Sequence, residues 1–291
     1  MTEILQVVIF GLLLGGVYAL FASGLTLAFG VMRIVNLAHA VFIVAAAYVA
    51  FFAFDELSID PLLSVILIMP LFFVLGVGVY MTLFVRIEGS PRYVEMTVLL
   101  TFGIAIMIEG LLGWRFTGIF RQATPSYLTD AFFIRDFLIP TGQFYAFVLS
   151  LVLIIGLWAF LRFTRTGYGI RATMQNRAAA QLVGVNVRRV SAISFGISAA
   201  LAGASGALMS YLFPFFPFRH WQWIAILLAL VVLGGMGSLK GAVIGALLLG
   251  VASSLVGNYV GIGWGPMAFY AALFGILLIR PRGLFGKEVA A

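Results

Sequence analysis

The chain contains no cysteine and only two histidines, His39 and His220. A disulfide framework and a thiolate metal centre are therefore excluded, and two imidazoles so far apart do not suggest a metal enzyme. Charge is scarce as well. Asp, Glu, Lys and Arg make up 9% of 291 residues, too little to clothe a soluble domain of that size. No Walker A pattern occurs, so ATP hydrolysis is not expected of this chain. The opening MTEILQVV carries an acid and no basic n-region, so a cleaved signal peptide is not expected either.

What is abundant is apolar. Hydrophobic residues reach 63%, mean hydropathy is +1.16, and the apolar stretches are long enough to cross a bilayer as helices. Their continuity favours helices over the alternating strands of a membrane barrel, and 33 glycines suit closely packed membrane helices. Apolar segments fall at 4–30, 36–54, 61–84, 94–114, 142–161, 189–212, 222–236, 242–260 and 264–280. The break GGMGSLKG at 234–241 leaves 222–260 open as two spans or a re-entrant pair. The expectation is an all-α polytopic bundle of about 8 transmembrane helices (7–9), forming one membrane domain over 1–291.

The basic excess orients it. With the 162–189 loop inside, Arg33, Arg86, Arg92, Lys240, Arg280, Arg282 and Lys287 fall on the same side, 13 of the 17 basic residues in all. The opposite side receives Asp55, Glu56, Asp60 and a mixed loop at 115–140. The positive-inside rule then gives an N-terminus outside and a C-terminus in the cytoplasm. The net charge of +7 is thereby assigned to the cytoplasmic face rather than to nucleic acid. The 115–140 loop reads equally as an ordered connection or as a lid or docking site for an outside partner.

Small residues recur four apart: Ser194, Ser198, Ala202 and Gly206; Gly196, Ala200 and Ala204; Ala242, Ala246 and Gly250; Gly11 and Gly15. Helix packing within the subunit explains these stripes more simply than a substrate path. Gly30, Arg33, Asn36 and His39 interrupt the apolar run between the first two segments. Asn36 suits the N-cap of the second helix; alternatively, Asn36 and His39 mark a break on a translocation path. Glu109, within the fourth segment, either snorkels at the interface or faces inward to meet a substrate ammonium or an arginine. GASG at 203–206 has the G-x-S-G form seen around intramembrane serine nucleophiles, but His220 falls in an outer loop and His39 near the inner end of another helix. Neither is placed as a base for Ser205.

The loop 162–189 holds six arginines, Arg162, Arg165, Arg171, Arg177, Arg188 and Arg189, and no acid. From about Ile170 to Val183 its composition predicts a short helix stopped by Gly184, with Asn186 capping the next span. Ala178, Ala179 and Ala180 would give that helix a small face suited to close docking, with arginines at the rim.

AAAQLVG at 178–184 resembles the EAA---G signature of ABC importer membrane subunits, with Ala178 where that signature has glutamate. The wider GYGIRATMQNRAAAQLVGVNV resembles branched-chain amino acid permeases of the LivH type. So do GGVYALFASGLTLAFGVMRIVNLAHA, TFGIAIMIEG, LVVLGGMGSLKGAVIGALLLG and RPRGLFG, which together span nearly the whole chain in order. Ala40, Val41 and Phe42 depart from the glycine and acid that commonly follow the family's N-x-A-H histidine. The resemblance implies a permease subunit, not an enzyme, of an ABC importer in a bacterial inner membrane. It implies a LivM-type second permease, two cytoplasmic ATPases that bind ATP and Mg, and an extracytoplasmic binding protein, with no cofactor in this chain. Branched-chain amino acids are the implied substrate; another amino acid, an amide or urea is the alternative, and a lone secondary transporter or an intramembrane serine protease lies further off. The expected ATPase-coupling residues are Arg171, Asn176, Arg177, Ala178, Ala179, Ala180 and Gly184, with Asn36, His39 and Glu109 on the path.

Overall fold

A computed structural model describes residues 2–280 and 283–285. Arg282 and Lys287, assigned above to the basic side, lie outside the described residues. The chain folds as α1 (Thr2–Met32), α2 (His39–Leu57) and α3 (Pro61–Val79), which continues through a π-helical turn, Tyr80–Phe84, into the short α4 (Val85–Ile87). Then come α5 (Tyr93–Phe116), a hairpin of β1 (Ala131–Ile134) and β2 (Phe137–Pro140), and α6 (Thr141–Phe163). The short α7 (Arg165–Gln175) and α8 (Arg177–Leu182) lead into α9 (Val187–Leu212), α10 (His220–Gly234), α11 (Leu239–Tyr259) and α12 (Met267–Ile279). Among the described residues, nine helices are long and apolar enough to cross a membrane. The 234–241 break is a turn between two antiparallel helices of that kind, at the upper end of the 7–9 expected. Among the described residues, the hairpin and an isolated bridge between Arg121 and Phe215 are the departures from an all-helical chain. The hairpin strands pair from Ala131 opposite Pro140 to Ile134 opposite Phe137.

Helix α9 is the centre. Its span is 89% buried, against 11% for the last helix, because its small residues admit neighbouring backbones on two sides. A Cβ on Gly206 would stand 2.5 Å from Ala46 Cβ and 2.8 Å from Ala47 N of α2. On the other side Gly196 and Gly203 face Phe73 and Phe72 of α3. Helices α1 and α11 pair antiparallel in the same manner, Gly11 against Val251 and Gly15 against Leu247, and Gly30 meets Gly237 in the turn before α11. Ser194 and Ser205 donate to the carbonyls of Val190 and Leu201 one turn back, so these hydroxyls are satisfied within their own helix. Among the described residues no hydrogen bond joins Ser205 to a histidine.

The bundle has two distinct ends. At one, Gln6 of α1 donates to and accepts from the backbone of Leu138 in β2, and Tyr127 donates to Asp60 Oδ1 at 3.1 Å. Burial, and then the neighbouring Tyr211 and Asp60, push the Tyr127 hydroxyl well above its ordinary pKa, so it stays a donor. This hairpin end also holds Arg121, whose guanidinium lies over the rings of Phe51, Phe52 and Phe116. At the other, basic end, α7 folds beneath the bundle and Met174 reaches Gly30 near the end of α1.

Helix α2 does not begin at Asn36. Its first residue is His39, and its N-cap, Ala38, makes no side-chain cap bond. The Asn36 side chain accepts instead from Ala38 N at 3.1 Å, closing a local turn before the helix. The chain between Met32 and His39 runs back into the bundle. His39 Nε2 donates to the carbonyl of Phe21 at 3.1 Å, about 16 Å before the end of α1 at roughly 1.5 Å per residue. The irregular backbone survives at that depth because Thr101 of α5 bonds both Val35 O and Leu37 N.

Gly206→Ala should destabilise the detergent-solubilised protein by about 1–3 kcal/mol, since α2 must move to admit one methyl. Gly156→Ala on α6, where a Cβ meets nothing within 4 Å, should leave the thermal midpoint unchanged. Equal midpoints for the two variants in a thermal melt would contradict this packing.

Candidate functional site

The basic end carries the strongest candidate, the segment 164–187. The sequence predicts one helix from about Ile170 to Val183. The structure has two, divided at Asn176, because this residue leaves helical geometry (φ −151°, ψ 112°) and caps α8 by accepting from Ala179 N at 3.0 Å. Thr164 caps α7 likewise, accepting from Gly167 N at 3.0 Å. Gly184, at φ +84°, closes α8, with Val185 N donating to Ala180 O. Asn186 caps α9 through Arg189 N at 2.9 Å, as its position suggested.

The segment is seated rather than hanging. Ile170 and Thr173 of α7 are buried, and Arg171 turns outward onto the Tyr168 ring at 4.8 Å. The three alanines do not share a face: Ala178 and Ala179 are exposed, while Ala180 is 2% exposed and turned inward. The outward tip is instead completed by Leu182 and Val183, which are 88% and 78% exposed. That is an exposed apolar patch with no partner among the described residues. An open cleft of about 490 Å³, lined by Arg165, Tyr168, Ala172, Asn186, Arg189 and Ile193, separates α7 from the start of α9.

One residue that sequence reasoning missed holds the tip in place. Arg177 pairs with Glu88 at 3.0 Å, and the same carboxylate oxygen accepts from Tyr80 Oη at 2.5 Å. Glu88 lies in the turn after α4, and Tyr80 lies in the π turn of α3. The contact joins α8 to the end of α3 by a charge-assisted bond. The signal was available: Glu88 is the lone acid between Arg86 and Arg92 at an end otherwise rich in arginine.

The three residues expected on a path are not brought together. Asn36 and His39 are 1% and 0% exposed, enclosed by α1, α5 and α9, with Ser198 Oγ 3.5 Å from His39 Nδ1. Gly24 makes room for that imidazole, as a Cβ there would stand 2.7 Å from His39 Cε1. Glu109 lies elsewhere, on the outer side of α5. It accepts from Trp221 Nε1 at 2.7 Å and stands 3.3 Å from His220 Nε2. His220 is the first residue of α10 and is buried, not part of an exposed loop.

The segment 164–187 is thus a capped and ion-paired element that presents an exposed tip at one end of an apolar bundle. Residues 7–280 match the family model described as branched-chain amino acid transport system / permease component. The chain belongs to this permease family. It is 27% identical to the high-affinity branched-chain amino acid transport system permease protein LivH of Salmonella typhimurium, over 97% of this chain and 96% of that one. BraD of Pseudomonas aeruginosa, with the same description, is 28% identical over 97% and 96%. LivM of Escherichia coli is 31% identical over 47% of this chain and 33% of its own length. No solved structure matches this permease.

Glu88→Ala should release α8 from α3. Hydrogen exchange of the 177–183 amides should rise roughly fivefold, matching the ~1 kcal/mol or less of a partly exposed pair, while the buried part of α9 stays unchanged. Unaltered exchange at 177–183 would show that Glu88 does not hold the tip.

Proposed function

We propose that this permease is the membrane-spanning subunit of an ABC importer for branched-chain amino acids, with its basic end in the cytoplasm and its hairpin end outside. The family match and the two near-full-length relatives support the substrate class, and the collection of arginines at one end supports the orientation. The single observation that carries the coupling role is the exposed apolar tip of α8, at Ala178, Ala179, Leu182 and Val183, held on a capped and ion-paired frame. Such a tip fits a groove on a cytoplasmic ATPase.

Transmission then follows from what the tip touches. Arg177 and Glu88 pass a displacement of α8 to the π turn of α3. Met174 passes it to Gly30 and the end of α1, and Asn186 to α9. Two ATPases closing on ATP would in this way rock α1, α3 and α9 as packed bodies, switching a pair of permeases between outward- and inward-open states. The second permease is of LivM type, and a binding protein presents substrate at the hairpin end. The carboxylate that Ala178 does not supply is present on the neighbouring turn as Glu88, where it braces the helix from behind.

Ala179→Asp, which sets a charge on the docking face without touching the core, should abolish ATP-dependent uptake and reduce ATPase co-purification at least roughly tenfold, with normal amounts of protein in the membrane. Wild-type uptake by this variant would remove α8 from the coupling role.

A further inference from the structure

Among the described residues Glu109 is the only carboxylate more than two turns from the start and nearly two from the end of a membrane-length helix, and its surroundings are unlike those of a residue that snorkels. His220 opens α10 one turn before Trp223, whose ring lies against Tyr18 and Phe21, near the middle of the long helix α1. Glu109 therefore packs against the buried start of α10 rather than standing free at the end of α5. One carboxylate oxygen, Oε2, is taken by Trp221 Nε1 and His220 Nε2. The other, Oε1, has no hydrogen-bond partner among the described residues, and the side chain is 17% exposed.

The imidazole sharpens the point. His220 Nδ1 donates to the carbonyl of Pro217 at 3.1 Å, which in the neutral ring leaves a lone pair on Nε2. That nitrogen is fully buried, makes no aligned hydrogen bond and faces the carboxylate. At 3.3 Å from Oε2 it pairs with the carboxylate when the ring is protonated, so His220 and Trp221 hold one carboxylate oxygen and leave the other free. The rim is aromatic: Phe102, two turns earlier on α5, has its ring 5.7 Å from that of Trp221, and both are about two-fifths exposed. A carboxylate opened onto hydrocarbon would be costly; ionisable groups within membrane spans face protein or water.

We propose that Glu109 is a subsite for the ammonium group of the transported amino acid, on the partly exposed flank where α5 meets α10, with His220 and Trp221 as positioning residues that hold its other carboxylate oxygen. The carboxylate supplies the charge, its free Oε1 is the acceptor, and the Phe102 ring on the same face of α5 is open to the cation and to the apolar side chain. The subsite rests on the reading of this chain as an amino acid permease.

The alternative is a simple fastener between α5 and α10, and two variants separate them in the complete importer reconstituted in liposomes with its binding protein. Glu109→Gln keeps an acceptor for Trp221 and loses the charge; Trp221→Phe loses the fastening bond and keeps the charge. For the subsite, leucine uptake falls roughly tenfold or more in Glu109→Gln, with ATP hydrolysis and complex assembly unchanged, while Trp221→Phe stays within about threefold of wild type. Wild-type uptake by Glu109→Gln, or an equal loss in both variants, overturns the subsite. Absence of leucine uptake by the unsubstituted complex is a different failure, since it overturns the substrate reading on which the subsite stands.

Discussion

Backbone groups at membrane depth have no water to bond to, and the stretch from Arg33 to Ala38 is where this chain meets that constraint most severely. Two helices cannot simply be joined by a loop inside the bundle. Here the loop is enclosed instead: Thr101 bonds its backbone from α5, Asn36 bonds back onto it, and His39 ties the first residue of α2 to Phe21 of α1. That arrangement requires α9 to come very close, which is why its residues are Gly, Ala and Ser, and why Gly24 stands opposite the imidazole. The histidine in this account is a structural tie between α1, α2 and α9. Its hydrogen bonds are spent inside the protein.

The same close packing makes the bundle fit to be driven from one end. Helices that touch through glycine and alanine have little slack, so displacement at a terminus moves whole helices rather than single side chains. The segment 164–187 reaches three of those termini at once. Met174 lies at the end of α1, the Arg177–Glu88–Tyr80 chain reaches the π turn of α3, and Asn186 begins α9. The π turn is the irregular element on this route, a place where α3 can yield without unfolding.

Much of the architecture was legible in the sequence, because membrane helices are written as length and hydropathy. All nine apolar segments became helices within a few residues of their expected bounds. Asn186 and Gly184 did what cap chemistry predicts. The errors share one cause: they concern choices made by contacts distant in sequence. Asn36 has the right side chain for a cap, but burial of the preceding loop moved the helix start to His39. Asn176 divided a run of good helix formers because its side chain closes a new helix over Ala179. The alanine triplet carried no sign that Ala180 would turn inward, nor that Leu182 and Val183 would provide the exposed tip. Glu88 and Trp221, the partners of Arg177 and Glu109, lie 89 and 112 residues away from them, beyond the reach of local pattern.

The central claim, that the tip of α8 is where a cytoplasmic ATPase grips this permease, is most directly tested by chemical labelling, for which a chain without cysteine is well suited. A single cysteine placed at Leu182 should react fast with a membrane-impermeant maleimide in the isolated subunit within inside-out vesicles. In the assembled importer it should be protected and should cross-link to the ATPase subunit. Equal labelling in both preparations, without a cross-link, would contradict the account.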